Sequence, residues 1–226
     1  MRDELANATS AGGAPAWAKA QLLEAGPEEL IEIDGKVIES SDAAAIMGLD
    51  PHRSALDLWR EKVGVGIKPA LKNEEGDAIA TCWGTLLEPL VASVYSRRTG
   101  HKLRRVDTVL THPRYPWMLA SVRWQVLGVP AVQYLHCLNG ARDDGSTWEK
   151  GVPGNVRVDV MHLLAVTGHK AVDLALLAGG RELKIFRVER DEAFIGHLEA
   201  AEARFWRCVE RNSPPIYRLP FLRATG

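Results

Sequence analysis

What most constrains this chain is the order in which its apolar residues change period. Residues 83–98 place Leu87, Leu90, Val91, Val94 and Tyr95 on one side of a helix. The pattern then alternates through Lys102–Thr111, becomes an apolar run over 117–127 that ends at Gly128, and repeats as a short run over 131–138. Helical spacing returns with Val160, Met161, Leu164 and Val166. Strand character follows over 172–177 and 182–188, around a Gly179-Gly180 hairpin turn, and Phe194, Leu198, Ala201 and Phe205 mark a last helix that Asn212-Ser213-Pro214-Pro215 ends. Upstream, Ser41 is the expected N-cap of an Ala-rich helix that Gly48 stops, and a second helix carries Leu56 and Trp59. Helices, three strands, helix, two strands, helix is the order of an α/β sandwich with a mixed central sheet flanked by helices.

With 226 residues, 46% of them hydrophobic and 25% charged, the chain has the material for one large domain. Residues 1–25, rich in Ala, Gly and small polar residues, are expected to form a flexible N-terminal tail, and 26–226 a single domain. The stretch 64–76 reads as a surface loop. Neither a membrane-length apolar run nor a signal-peptide segment is present, so no membrane association and a cytoplasmic location are expected. Cys82, Cys137 and Cys208 lack metal-knuckle spacing and are expected to be small buried hydrophobes.

A formal charge of −1 does not by itself mark a nucleic-acid binder, because DNA affinity comes from local Lys and Arg that displace counterions. The dense cluster Arg97, Arg98, His101, Lys102, Arg104 and Arg105 fits two descriptions equally: a solvated helix end and strand, or a DNA-contacting face.

Five phrases, SSDAAAIMGLDPHRSALDLW, WGTLLEPLVASVYSRRTG, HPRYPWMLAS, HLLAVTG and VERDEAFIGHLEAAEARFW followed by Pro-Pro, resemble the YqaJ-like viral recombinases. These are relatives of the lambda-type alkaline exonuclease in the PD-(D/E)XK nuclease superfamily. The likeness runs in order over roughly residues 31–216. It implies a PD-(D/E)XK nuclease-like fold and a Mg²⁺-dependent 5′-to-3′ exonuclease acting on duplex DNA. Such chemistry needs hard oxygen ligands for Mg²⁺ and a Lys beside the scissile phosphate.

Carried over one position at a time, the resemblance matches Glu88 to the helix Glu and Ser121 to the Ser before the catalytic Asp. The Asp position itself holds Arg123. His136 stands where the next acid is expected, Leu138 at the lysine, and Asp159 at a helix Gln. Ser41 matches a phosphate-contacting Ser, and Asp34 falls where an Arg is usual. Glu88 is the one metal ligand this leaves. Because an Arg stays protonated, Arg123 should take the space and charge of the metal and pair with Glu88, with Asp159 a second candidate partner.

The favoured reading is a recombination-exonuclease scaffold that has lost hydrolysis and needs no cofactor. It would retain duplex DNA ends, through Ser41, Ser121, Arg104 and Arg105, or a recombination partner such as a single-strand annealing protein. Homo- or hetero-oligomers, including a trimeric ring by analogy, are further partners the resemblance implies. One alternative is an active exonuclease using Mg²⁺ or Mn²⁺ on displaced acids among Asp107, Asp143, Asp144 and Glu149. Another is a protein-binding module that inhibits or tethers a different nuclease. A transition-metal site at His136, Cys137 and Asp159 is disfavoured, since adjacent strand residues point to opposite faces. No nucleophile elbow supports Ser-His-Asp hydrolysis.

Overall fold

The computed structural model describes residues 36–65, 74–128, 133–140, 148–178 and 182–215, with backbone alone for 74–86 and 133–140. The expected N-terminal tail, Asp34, Asp143, Asp144 and the Gly179-Gly180 turn lie outside the described residues.

Two short helices come first, α1 (Ser40–Ile46) and α2 (Ala55–Val63), followed by the long α3 (Glu74–Thr99). Three strands follow, β1 (Lys102–Thr111), β2 (Leu119–Leu127) and β3 (Gln133–Gly140). Then come α4 (Gly154–Thr167), β4 (Ala171–Ala178), β5 (Glu182–Glu189) and α5 (Glu192–Glu210). The sheet order is β1-β2-β3-β4-β5. Every neighbouring pair is antiparallel except β3 and β4, which are parallel and joined through α4. Only a crossover can connect parallel neighbours, and the helical spacing between the two apolar runs supplies it. The element order expected from sequence is therefore the observed one.

Local chemistry sets the element ends. Ser54 caps α2 by accepting the Asp57 amide at 3.2 Å, and Gly64 closes the helix in the left-handed region. Asp191 caps α5 by accepting the Phe194 amide at 3.0 Å. Two expectations need correction. Ser41 is not the cap of α1, because that helix begins at Ser40 and Glu39 caps it in a reciprocal box with Asp42. The expected helix start near residue 83 lies too late: α3 already runs from Glu74, so the end of the expected 64–76 loop is helical.

β4 is buried along nearly its whole length, and its two faces meet different helices. Val172, Leu174, Leu176 and Ala178 join Met161, Leu164 and Leu198 beneath α4 and α5. On the other face, Ala175 packs with Val91, Ala92 and Tyr95 of α3. Tyr95 donates its hydroxyl to Asp173 there, and burial together with that carboxylate pushes the phenol's pKa up. A third apolar group, Ile38, Ile46, Leu58, Trp59 and Phe205, ties α1 and α2 to α5. Trp148, buried against Phe186 at 5.3 Å, closes the end of the main core and leaves Glu149 and Lys150 exposed. Cys208 is half-buried rather than buried. Among the described residues, no helix is long and apolar enough to cross a membrane.

Candidate functional site

β2 carries the change of face on which the site depends. Val122 packs in the cluster under α4, whereas Val126, with Trp124 beside it, packs against α3. Opposite this change, the β1–β2 register slips between Arg105↔Trp124 and Thr108↔Val122. Two residues of β1, Val106 and Asp107, thus face the single Arg123, and Asp107 takes a positive φ of 37°. A bulge of this kind bends the strand and re-aims its neighbours.

Around the bulge four charged side chains meet. Arg123 Nη1 donates to Glu88 Oε2 at 2.7 Å, and Trp124 Nε1 donates to Glu88 Oε1 at 2.9 Å. The expected Glu88–Arg123 pair therefore forms, and it joins α3 to β2. Arg105 pairs with Asp107 and lies over the Trp124 ring, its guanidinium carbon 5.8 Å from the centroid. Hydrogen bonding and charge from Asp107, with a smaller contribution from Glu88, raise the pKa of Arg105. Arg104 donates instead to the neutral Gln125 side chain. Ser121 is exposed, opposite Val109.

These donors do not suit a divalent cation. Both oxygens of Glu88 already accept hydrogen bonds, and a fixed cation stands 2.7 Å away. Among the described residues no three His, Cys, Asp or Glu gather in metal-binding fashion. Asp107, one of the acids considered as a displaced ligand, is paired with Arg105. His136 and Leu138 occupy register positions opposite Leu174 and Leu176, and their side chains lie outside the described residues.

Asp159 is placed elsewhere. The charged groups acting on it are His162, Asp50 and Arg53, so Arg123 is not its partner and that expectation is corrected. Burial raises its pKa to about 7, against the pull of His162, the Ala44 amide and Arg53. Its Oδ1 is buried without a hydrogen-bond partner. Ser41 lies on the neighbouring helix α1. Its carbonyl accepts from Arg53 at 2.8 Å, and Arg53 and Lys62 both pair with the buried Asp42, at 2.9 and 2.7 Å.

Asp159 consequently makes stability depend on pH. Below its ordinary value of 3.8 the carboxyl is neutral in folded and unfolded chains alike. As pH rises from there to about 7, the unfolded chain gives up a proton that the folded chain keeps, and stability falls; above about 7 the loss is constant. Asp159→Asn is expected to gain about 2–4 kcal/mol over the parent at pH 8 and nothing at pH 3.5, read by urea unfolding at both.

Sequence reasoning missed a buried pair behind this corner. His162 Nδ1 lies 2.8 Å from Glu202 Oε1, and His162 Nε2 donates to the Leu119 carbonyl at 2.9 Å, with both side chains fully buried. Burial pulls the His162 pKa down, but Glu202 and the Leu119 carbonyl outweigh it and the net direction is up. The signal was a Glu in the apolar register of α5, between Leu198 and Phe205. His112, also missed, accepts the Arg114 and Tyr115 amides on Nδ1, which assigns its proton to Nε2, facing Glu199 at 3.4 Å. Burial lowers its pKa.

Comparison with known proteins agrees with this architecture. A family profile described as the YqaJ-like viral recombinase domain matches residues 31–170. The uncharacterized protein YqaJ of Bacillus subtilis (strain 168) is 33% identical over 174 residues, covering 76% of this chain and 52% of that protein. The chain thus spans about half the length of that relative. Among solved structures, an alkaline exonuclease (LHK-Exo) from Laribacter hongkongensis superposes with a TM-score of 0.60 at 20% identity, over 78% of this chain and 89% of the other. The same exonuclease in complex with dAMP gives a TM-score of 0.60 at 22% identity, over 79% and 89%. The fold is of the PD-(D/E)XK type.

Proposed function

The chain belongs to the YqaJ-like viral recombinase family, and we propose that it keeps the recombination-exonuclease scaffold without its hydrolysis and uses it to hold duplex DNA ends. One observation carries the first half. The single acid retained at the family's metal position, Glu88, has both oxygens satisfied by Arg123 and Trp124. A nuclease of this class must place a divalent cation there, and an arginine cannot surrender its charge to make room. DNA ends are preferred to an annealing protein as ligand because Arg104, Arg105 and Arg123 expose guanidinium groups along β1 and β2, and planar forks of this kind match phosphate. A ring with active relatives is compatible with this role, the silent subunit contributing grip rather than cleavage.

Linear duplex with a 5′ phosphate, incubated with the protein in Mg²⁺ or Mn²⁺, is expected to stay intact while being retained in a salt-dependent manner. Digestion would overturn the loss of hydrolysis. Failure to retain DNA even at low salt would overturn the binding half.

A further inference from the structure

The residues that exclude a metal have a second property. Arg123 gives one nitrogen to Glu88 yet its side chain remains 52% exposed, and Arg105, tied through Nε to Asp107, is 53% exposed. Both therefore keep guanidinium N–H groups directed at solvent after their internal partners are satisfied. They approach Trp124 from adjacent strands, Arg105 over its ring and as its Cα partner, Arg123 as its chain neighbour. Among the described residues β1 is the edge strand of the sheet. Arg104, paired with the neutral Gln125, belongs to the opposite face of β1, so the patch holds two guanidinium groups and two carboxylates, and what it offers an anion is the exposed fork donors rather than a charge excess.

We infer that Arg105 and Arg123, braced by Glu88, Asp107 and Trp124, form a site for a DNA phosphodiester that requires no divalent cation. This rests on the DNA-binding reading above and specifies how the contact is made. A metal-dependent nuclease meets the scissile phosphate through the ion. Here the cations are built into the chain, and Glu88 and Asp107 fix the two forks in orientation. A guanidinium braced on one side loses less side-chain freedom when it binds an anion on the other.

Fluorescence anisotropy of a 5′-phosphorylated duplex tests this with the full chain, in EDTA and in Mg²⁺. The expected result is affinity equal within about twofold in the two buffers. Arg123→Gln and Arg105→Gln should each weaken binding about tenfold in both, with the salt slope reduced by about one per side chain. Arg123→Lys, which keeps the charge but loses the fork, should fall between parent and Gln variant. Arg204→Gln, an exposed cation on α5, should change affinity less than twofold. Melting curves of the Arg123 variants, unchanged within a few degrees, separate a lost contact from a lost fold. Retention that appears only with Mg²⁺, or parent-like affinity in both Gln variants, would overturn this site while leaving DNA binding in place. Absence of retention in every buffer would overturn it together with the parent reading.

Discussion

A chain carrying Arg123→Asp, His136→Glu, Leu138→Lys and Asp159→Gln together is expected to degrade linear 5′-phosphorylated duplex in Mg²⁺ at least ~10³-fold faster than the parent, which leaves it intact. The magnitude follows from what is missing. On the proposed correspondence with the family, a cation stands at one ligand position and no acid or lysine at the next strand's positions, and each preorganised charge at a reacting phosphate carries ~10²–10³ in rate. The scaffold that would orient these groups is present: α3 brings Glu88 to β2, and β3 runs beside β4 in continuous parallel register. Arg123→Asp alone should restore no hydrolysis, because it supplies a second acid but no lysine. It should show a distinct physical signature, however. Two facing carboxylates repel, so the single variant is expected to melt lower than the parent in EDTA and to recover in Mg²⁺, as the parent does not. A fourfold variant that is folded, takes up Mg²⁺ and still leaves DNA intact would place the family's chemistry elsewhere in this chain.

The second large effect concerns stability. Glu202→Leu or His162→Leu alone is expected to cost about 3–5 kcal/mol, since either strands an ionisable group at a fully buried position. The double replacement should come back to within about 1 kcal/mol of the parent, because apolar side chains of similar volume fill the space without desolvated charge. The pH dependence has a definite sign. The folded pKa of His162 is raised, so its contribution is complete below the unfolded value near 6.5 and is lost as pH rises through the folded value. Chemical denaturation of parent and double variant over that range should show the parent declining and the double variant level. Full additivity of the two single losses would mean that the two side chains do not act as a pair.

Much of the fold was legible because the apolar period reports which faces are covered. Leu198 and Phe205 are buried on α5 as spaced, and the nearly continuous apolar run of β4 reads as a strand covered on both sides. The Glu88–Arg123 pair was legible too, through the resemblance and because a cation beside a retained acid has little choice of partner. Trp124 as the second donor to Glu88 was not. It sits beside the register slip in β1, whose trace in sequence is slight: the residues around it, RRVDTV, break the polar–apolar alternation without naming the bulged residue. The surroundings of Asp159 were not legible either. Sequence offered Arg123 as its partner, whereas the charges acting on it are His162, Asp50 and Arg53. The start of α3 was missed because Glu74–Gly76 offers charge and glycine rather than a face.

The extra residue in β1 also bears on how this chain tolerates insertion and deletion. Upstream of it, Lys102–Arg105 is in phase with Trp124 and Leu127; downstream, Thr108–Thr111 is in phase with Leu119–Val122. Asp107 is the extra residue, and the halves on either side of it already stand opposite one continuous run of β2. Deleting it would be a local trimming: with the downstream half fixed by the core, Val106 would stand alone opposite Arg123 and Arg105 would keep its place opposite Trp124. Losing a residue from Lys102–Arg105 itself would instead shift the residues before it by one position and exchange their faces. The positive φ at Asp107 therefore marks the one position of this segment where length can change without moving the basic residues out of register.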